Sequence, residues 1–238
     1  PATHRNIFFE SAHSKDLPTY AEEVISSFAT RAFRRPITAT EQKALLGVWQ
    51  RSFADTKDFR QSIQDALLVV LTSPQFLFQI ENSRSPEPED LDSYELASKL
   101  SFFLWNTAPD QRLLDLAAKN SLRDSLDAEI ERMSHDPRFG QFLNEFGSQW
   151  LSLDKFDVVA VDAQRYPRLT RDVKTQLRQE PIHFLRHLVE QNLPLRNLVE
   201  SDFIVANDVV ANYYNLPSRT ESGFRFVPIK HENANLGG

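Results

Sequence analysis

The sequence predicts an all-α fold, an orthogonal multi-helix array in one body or two lobes, with at most a short C-terminal β element. Three observations carry this. Helix-start signatures recur along the chain: Thr38 with Glu41, and Asp92 with Glu95, each form a capping box, whose two side chains satisfy orphan amides of the first turn. Prolines sit where helices begin, as at Ser73-Pro74 and Asp136-Pro137. Between these points apolar residues recur three and four apart, the period of a helix face.

The elements follow in order. Residues 18–33 form a first helix, with Asp16 near its start and Ile25, Phe28, Ala29 and Ala32 at helical spacing; Pro36 ends it. The Thr38 box opens a helix over about 39–54. Asp58 begins the next, which runs to Thr72 through Ile63, Ala66, Leu67, Val70 and Leu71. Ser73-Pro74 restarts a short helix ending at Glu81. Residues 82–91 are rich in Pro, Ser and Glu and mark the best internal boundary. The Asp92 box opens a helix to Trp105, and Thr107-Ala-Pro109-Asp110 starts another to about Asn120. A helix from Asp124 ends near His135. Asp136-Pro137 caps one whose residues Phe139, Phe142, Leu143, Phe146 and Trp150 read as a core-facing aromatic stripe. Residues 152–169 are less regular, with Val158–Val161 extended. Thr170 opens a long helix to Asn192, with a kink or break expected at Pro181. Asn207 caps a short helix to Tyr214, and Phe224–Ile229 alternates as an edge strand limited by Pro228. The expected division is an upstream segment 1–17, a helical domain 18–82, a linker 83–91, a main helical domain 92–216, and the start of a following segment at 217–238.

Composition narrows the function classes. A chain of 238 residues, 41% hydrophobic and 25% charged, can bury a sizeable core. A net charge of −6 argues against a dedicated nucleic-acid binder. No apolar run approaches the roughly 20 residues that span a bilayer. The absence of cysteine removes disulfides, thiolate metal sites and the Cys-x-x-Cys-His attachment of haem, so no cofactor is expected on these residues. Beginning at Pro1 and ending at Leu236-Gly237-Gly238, the chain reads as a piece of a longer protein, and a missing export signal then carries no information on compartment.

Several tracts occur in a familiar order. Phe28-Ala-Thr-Arg31-Ala-Phe-Arg34-Arg35-Pro36-Ile-Thr38 is followed by Leu71-Thr-Ser73-Pro74-Gln-Phe-Leu77-Phe-Gln-Ile-Glu81. Then come Asp92-Ser-Tyr94-Glu95-Leu-Ala97-Ser-Lys-Leu-Ser101-Phe-Phe-Leu-Trp105, Pro109-Asp110, Arg132-Met-Ser-His-Asp136-Pro-Arg138, Gln149-Trp150-Leu151 and Glu180. Together they resemble two consecutive helical domains of unknown function of the planctomycete PSD type, the first over about 20–82 and the second over about 90–216. The resemblance implies a large, exported, multi-domain protein, periplasmic or extracellular. Relatives often carry a cytochrome c domain, so haem belongs to other domains of the full-length protein, and a redox or polysaccharide connection is implied. Two departures stand out: relatives often have cysteines near the positions of Glu10 and Tyr20, and they continue the helix where Pro181 follows Glu180.

The candidate structural or interaction residues are Arg31, Arg34, Arg35, Glu81, Glu95, Trp105, Asp110, Trp150 and Glu180. The three arginines could bind phosphate or anionic glycan, or pair with carboxylates such as Glu81 and Glu95. Glu81, Glu95, Asp110, Asp136, Glu145 and Glu180 could supply a general acid and base, but Glu95, Asp110 and Asp136 sit in first turns, where capping and the helix dipole explain them. His183 and His187 are four apart on one helix side without the glutamate of a zinc-protease motif, so a solvated or helix-terminal role is expected. Phe102, Phe103, Trp105, Phe142, Phe146 and Trp150 pack a core or line a ligand or sugar groove. Ser101 and Ser148 lack a nucleophile-elbow context. The leading expectation is a non-catalytic structural or interaction module that contacts neighbouring domains of its own polypeptide and docks a cytochrome c or glycan-related partner. The alternative is part of a hydrolase or redox enzyme using core carboxylates.

Overall fold

Local capping and helix-period burial build most of this molecule. A computed structural model describes residues 6–81, 87, 89–216, 223–232 and 236. Among them are eleven α-helices, one 3-10 turn and one two-stranded sheet. The chain divides into two compact units: Pro1–Phe103 with Thr107–Leu126, and Leu104–Asn106 with Asp127–Gly238. No helix among the described residues is long and apolar enough to cross a membrane.

The first unit is built on α1 (Leu17–Phe33), α2 (Ala39–Thr56) and α3 (Phe59–Leu71), with α3 packed on both others. Its core contains Val24, Ile25, Ala29, Leu45, Trp49, Ile63, Ala66 and Val70. Ile7, Phe8 and Phe9 pack against it, and Tyr20 Oη donates to the Phe9 carbonyl at 2.9 Å. The Thr38–Glu41 capping box forms as expected, with both reciprocal bonds present. Asp58 caps α3 by accepting from the Gln61 amide at 3.1 Å. The restart at Pro74 yields only one turn, α4 (Pro74–Leu77), and not a helix to Glu81. Phe78 is already extended, because its neighbourhood is organised around Arg34. Much of the 82–91 linker lies outside the described residues. The Asp92 box then opens α5 (Ser93–Trp105). α6 (Gln111–Ala118) starts at its cap, Asp110, three residues later than Thr107 suggested. Its buried face is Leu113, Leu114 and Ala117.

The second unit contains α7 (Leu126–Ser134), α8 (Phe139–Trp150), α9 (Leu153–Val158) and α10 (Arg171–Glu190). β1 (Phe203–Ala206), α11 (Asp208–Tyr213) and β2 (Val227–Lys230) follow. α10 packs on α8, α9, α11 and β1. Two expectations are narrowed here, the extended run at Val158 and the break that was one of two outcomes expected at Pro181. Residues 153–158 are helical, so the extended run does not begin at Val158; Val159, the C-cap, is extended, and residues 159–162 belong to no helix or strand. α10 passes through Pro181 without a break. Proline inside a helix removes one bond, at a cost of about 3 kcal/mol. Packing offsets this: Ile182, Phe184, Leu185 and Leu188 on the following turns are buried. The tight approach of α8 needs Gly147, where a Cβ would lie 2.6 Å from Ile182 Cδ1.

The strand at the C-terminal end exists, but its partner β1 was invisible in the sequence. The two pair antiparallel, with Ile204 opposite Ile229 and Val205 opposite Pro228. With two strands every edge is free, so Pro228 is tolerated. Ile204, Ala206 and Ile229 close a small core with Val210 and Ala211 of α11. Asn207, fully buried, caps α11 through the Val210 amide and donates to Gln176 Oε1 at 2.7 Å.

Candidate functional site

The basic tract at the end of α1 has three different fates. Arg31 is exposed and donates to the Asn6 carbonyl. Arg35 forms a two-pronged bond to Glu41, at 3.0 and 2.8 Å, which holds the Glu41 carboxyl down at about 2. Arg34 is 7% exposed and pairs with no carboxylate among the described residues. Its guanidinium donates to the carbonyls of Ala32, Gln75, Phe76 and Phe78, at 2.8–3.3 Å, and lies 5.6 Å from the Phe102 ring centroid. The expected pairing of these arginines with carboxylates holds for Arg35, through Glu41 and not Glu81 or Glu95, and fails for Arg31 and Arg34, which donate to carbonyls. Glu81 bonds Lys99 at 2.8 Å, and Glu95 accepts from the Asp92 amide. The physical reason is that α4 and the residue after it turn their carbonyls to Arg34, and a five-donor side chain can satisfy several at once. Arg34 holds a left-handed backbone, φ 60°, at the end of α1, a strained position in a residue other than glycine.

Trp105 is the buried anchor that its tract suggested. It is 1% exposed, and its indole nitrogen donates to the Met133 carbonyl at 3.0 Å. Two guanidinium groups flank its ring, Arg138 at 3.4 Å and Arg132 at 5.2 Å from the centroid. Each is held by a carboxylate: Arg138 by Asp136 at 2.7 Å, Arg132 by the fully buried Glu129 at 2.7 Å. The Arg138 bonds hold the Asp136 carboxyl at about 2. Asp136 accepts from the Arg138 amide and side chain and does not cap α8. Glu129, which no sequence signal singled out, completes the cluster.

The remaining carboxylates do not converge. Asp110 caps α6. Glu145 accepts from Asn106 and Gln141. Glu180 accepts from Tyr214 Oη at 2.9 Å. Burial pushes the Glu180 carboxyl up to about 7, against the lowering effect of that bond, and burial with the Glu180 charge pushes the Tyr214 hydroxyl upward. His183 and His187 do face one side of α10, but that side is the hairpin. His183 stacks on Phe226 at 4.1 Å, and His187 meets Phe203 edge-on at 5.4 Å. Burial lowers the His183 pKa. Of the two roles expected for this pair, solvated or helix-terminal, the second holds for His187, which lies in the last turn of α10, and both rings also pack on aromatic neighbours. No cluster of three or more potential metal ligands occurs among the described residues.

The aromatic stripe of α8 is not a core stripe. The buried row is Phe139, Leu143 and Gly147, each four residues apart. Phe142, Phe146 and Trp150 form the adjacent row, one residue out of phase, so it climbs from the core to the surface. Successive rings from Phe139 to Trp150 stack at 5.5–5.6 Å. Phe146 is 46% and Trp150 53% exposed. Trp150 is thus no core anchor.

Within the first unit a cleft of about 190 Å³ opens at the end of α1. Phe33, Arg34 and Arg35 form one wall. Gln75 and the segment Gln79–Glu81 form a second. The opening turns of α5, with Tyr94, Ser98 and Lys99, form the third. Four candidate residues, Arg34, Arg35, Glu81 and Glu95, therefore meet at one place. Arg31, Asp110, Trp105, Trp150 and Glu180 do not line it. Gln75, Gln79 and Tyr94 were missed as site residues; their only signal was membership in the two tracts that bracket the linker.

No curated protein and no solved structure matches the chain. Residues 20–81 match PSD5, a protein of unknown function (DUF1595). Because residues 91–216, more than half of the chain, match PSD4, it belongs to that family of proteins of unknown function (DUF1592).

Proposed function

We propose that this chain is a non-catalytic interaction module of a larger exported protein. Its partners are neighbouring domains of the same polypeptide, a cytochrome c domain among them where the full-length protein has one. The observation that carries this reading is the α8 ladder. Four stacked rings end in two large aromatics at the surface, where burial by a partner would remove apolar area from water. The fate of the charged groups supports it. Arginines and carboxylates of the recognised tracts cap helices, clamp Trp105 or tie down carbonyls. Export and the cytochrome c partner rest on the resemblance. One observation favours the enzyme alternative: Glu180, with its carboxyl at about 7, titrates where a general acid works. Its carboxylate, however, accepts a hydrogen bond from Tyr214.

The test is association between this chain and the remaining domains of its polypeptide, produced separately and followed by sedimentation velocity. Binding should occur with the parent and be lost in Trp150→Ala, while the variant keeps its melting temperature. No association by the parent, or equal binding by the variant, refutes the reading.

A further inference from the structure

We infer that the cleft at the end of α1 is a binding site for a single neutral sugar residue. The inference concerns the first unit alone and does not depend on the docking role of the α8 ladder.

The chemistry of the walls selects the ligand class by elimination. An anion would need a cation to meet it, and among the described residues each cation of these walls is already engaged. Arg35 is locked by Glu41, and Lys99 is paired with Glu81. Arg34 already serves four carbonyls. The helix N-terminus of α5, the usual anion site, is taken as well: Asp92 accepts from the Tyr94 and Glu95 amides at 2.8 Å. An anion would also face the carboxylates of Glu81, Asp92 and Glu95, which share the wall. An apolar ligand is no better. It would strip water from the Gln75 and Gln79 amides and from the Tyr94 and Ser98 hydroxyls, none of which has a hydrogen bond among the described residues.

What remains is a neutral ligand that gives and takes hydrogen bonds on several sides. A pyranose does both, through hydroxyls that each donate and accept. Its axial C–H faces suit apolar and aromatic surface, which Phe33, Ile80 and Tyr94 provide. The Glu81–Lys99 pair, 2.8 Å apart and exposed, offers an acceptor beside a donor, the arrangement that two adjacent hydroxyls bridge. The free amides of Gln75 and Gln79 repeat it. Arg34 contributes rigidity: its bonds to the Gln75, Phe76 and Phe78 carbonyls fix the segment that carries both glutamines. Such fixing lowers the ordering cost of binding. The volume of about 190 Å³ lies below the roughly 300–1,000 Å³ of drug-sized sites, so one ring enters and not a chain. A ligand so small, in an open cleft, binds with a Kd on the order of 1 mM.

The experiment is an amide-resolved NMR titration of the chain with the methyl glycosides of glucose, galactose and mannose, each to about fifty times that Kd. Methyl glucuronide and inorganic phosphate serve as charged probes. At least one neutral glycoside should shift the Gln75, Gln79, Tyr94 and Ser98 amides in a saturable way. Gln79→Ala, an exposed position that leaves the fold intact, and Tyr94→Phe should each weaken that binding several-fold. Silence at these amides with every neutral glycoside overturns the inference. So does tighter binding of glucuronide or phosphate, which would make the cleft an anion site, and so does unchanged affinity in both variants. The result is independent of Trp150→Ala, which should bind the sugar as the parent does.

Discussion

Replacing Trp105 separates the parts of its environment. Trp105→Ala empties a site that is 1% exposed, and such deletions of a large aromatic cost about 3–5 kcal/mol. Trp105→Phe keeps much of the volume but removes the donor that the Met133 carbonyl receives at 3.0 Å. A buried acceptor left unsatisfied costs about 1–3 kcal/mol. The ring beneath Arg138, 3.4 Å from its guanidinium, also becomes a weaker partner, by about 0.5–1 kcal/mol. The phenylalanine variant should therefore lose about 2–3 kcal/mol. At roughly 3–4 °C per kcal/mol for a unit of this size, melting should fall by about 6–12 °C for Phe and about 10–20 °C for Ala. Trp150→Ala is the control: its side chain is 53% exposed, and its effect should stay within about 0.5 kcal/mol. Calorimetry of the three variants beside the parent decides. If Trp105→Phe melts with the parent, the indole bond contributes nothing and the clamp reading fails. If Trp150→Ala falls as far as Trp105→Ala, the ladder is core after all.

Two further outcomes test the other buried polar groups. Arg34→Lys offers three donors where the carbonyls of Ala32, Gln75, Phe76 and Phe78 now share a guanidinium fork, so denaturant unfolding should show a loss of about 1–3 kcal/mol; parental stability would refute the claim that the fork organises this segment. Glu180 sets a pH dependence. Its folded pKa, about 7, lies above the unfolded 4.5, so below about 4.5 both states are protonated and no penalty exists. As pH rises towards 7 the unfolded chain ionises first, and stability falls by at most about 3 kcal/mol before levelling off. Glu41 and Asp136, both held at about 2, act in the opposite sense, and their contribution is lost as pH falls below about 4. Glu180→Gln should remove the decline between about pH 5 and 8 in denaturant midpoints; a decline of equal size in the variant would rule Glu180 out as its source.

How far the sequence reached depended on the range of the interaction. Capping boxes are local, so Thr38–Glu41 and Asp92–Glu95 could be read directly, as could the Asp58, Asp110, Thr170 and Asn207 caps. Pro181 misled because its cost is local while the packing of Ile182 and Leu185 that outweighs it is not. The α8 stripe misled for a related reason. Composition marks Phe142, Phe146 and Trp150 as apolar, but the buried face is chosen by the helix that approaches, and α10 approaches at Gly147. A glycine carries no apolar signal, so Phe139 and Leu143 were read in one stripe with Phe142, Phe146 and Trp150, although only the row that ends at Gly147 is buried. β1 was hidden because four residues are too few to show a period, and its partner lies more than twenty residues on.

The arginines show the same division at a site. A basic run announces unmet charge, and the natural partners to seek are carboxylates. Arg34 instead answers carbonyls more than forty residues away, which no residue type betrays, since every residue has one. That choice has a consequence for the cleft. Had Arg34 paired with Glu81 or Glu95, the wall would have been a closed ion-pair cluster with nothing left to offer a ligand. With Arg34 spent on backbone, Glu81 turns to Lys99 and Glu95 to the Asp92 amide, and the side-chain amides of Gln75 and Gln79 have no hydrogen bond among the described residues. The charged residues of the tracts that carry the resemblance thus work mostly as framework, and those that would meet a ligand in the inferred site are uncharged members of the same tracts, which that framework holds in place.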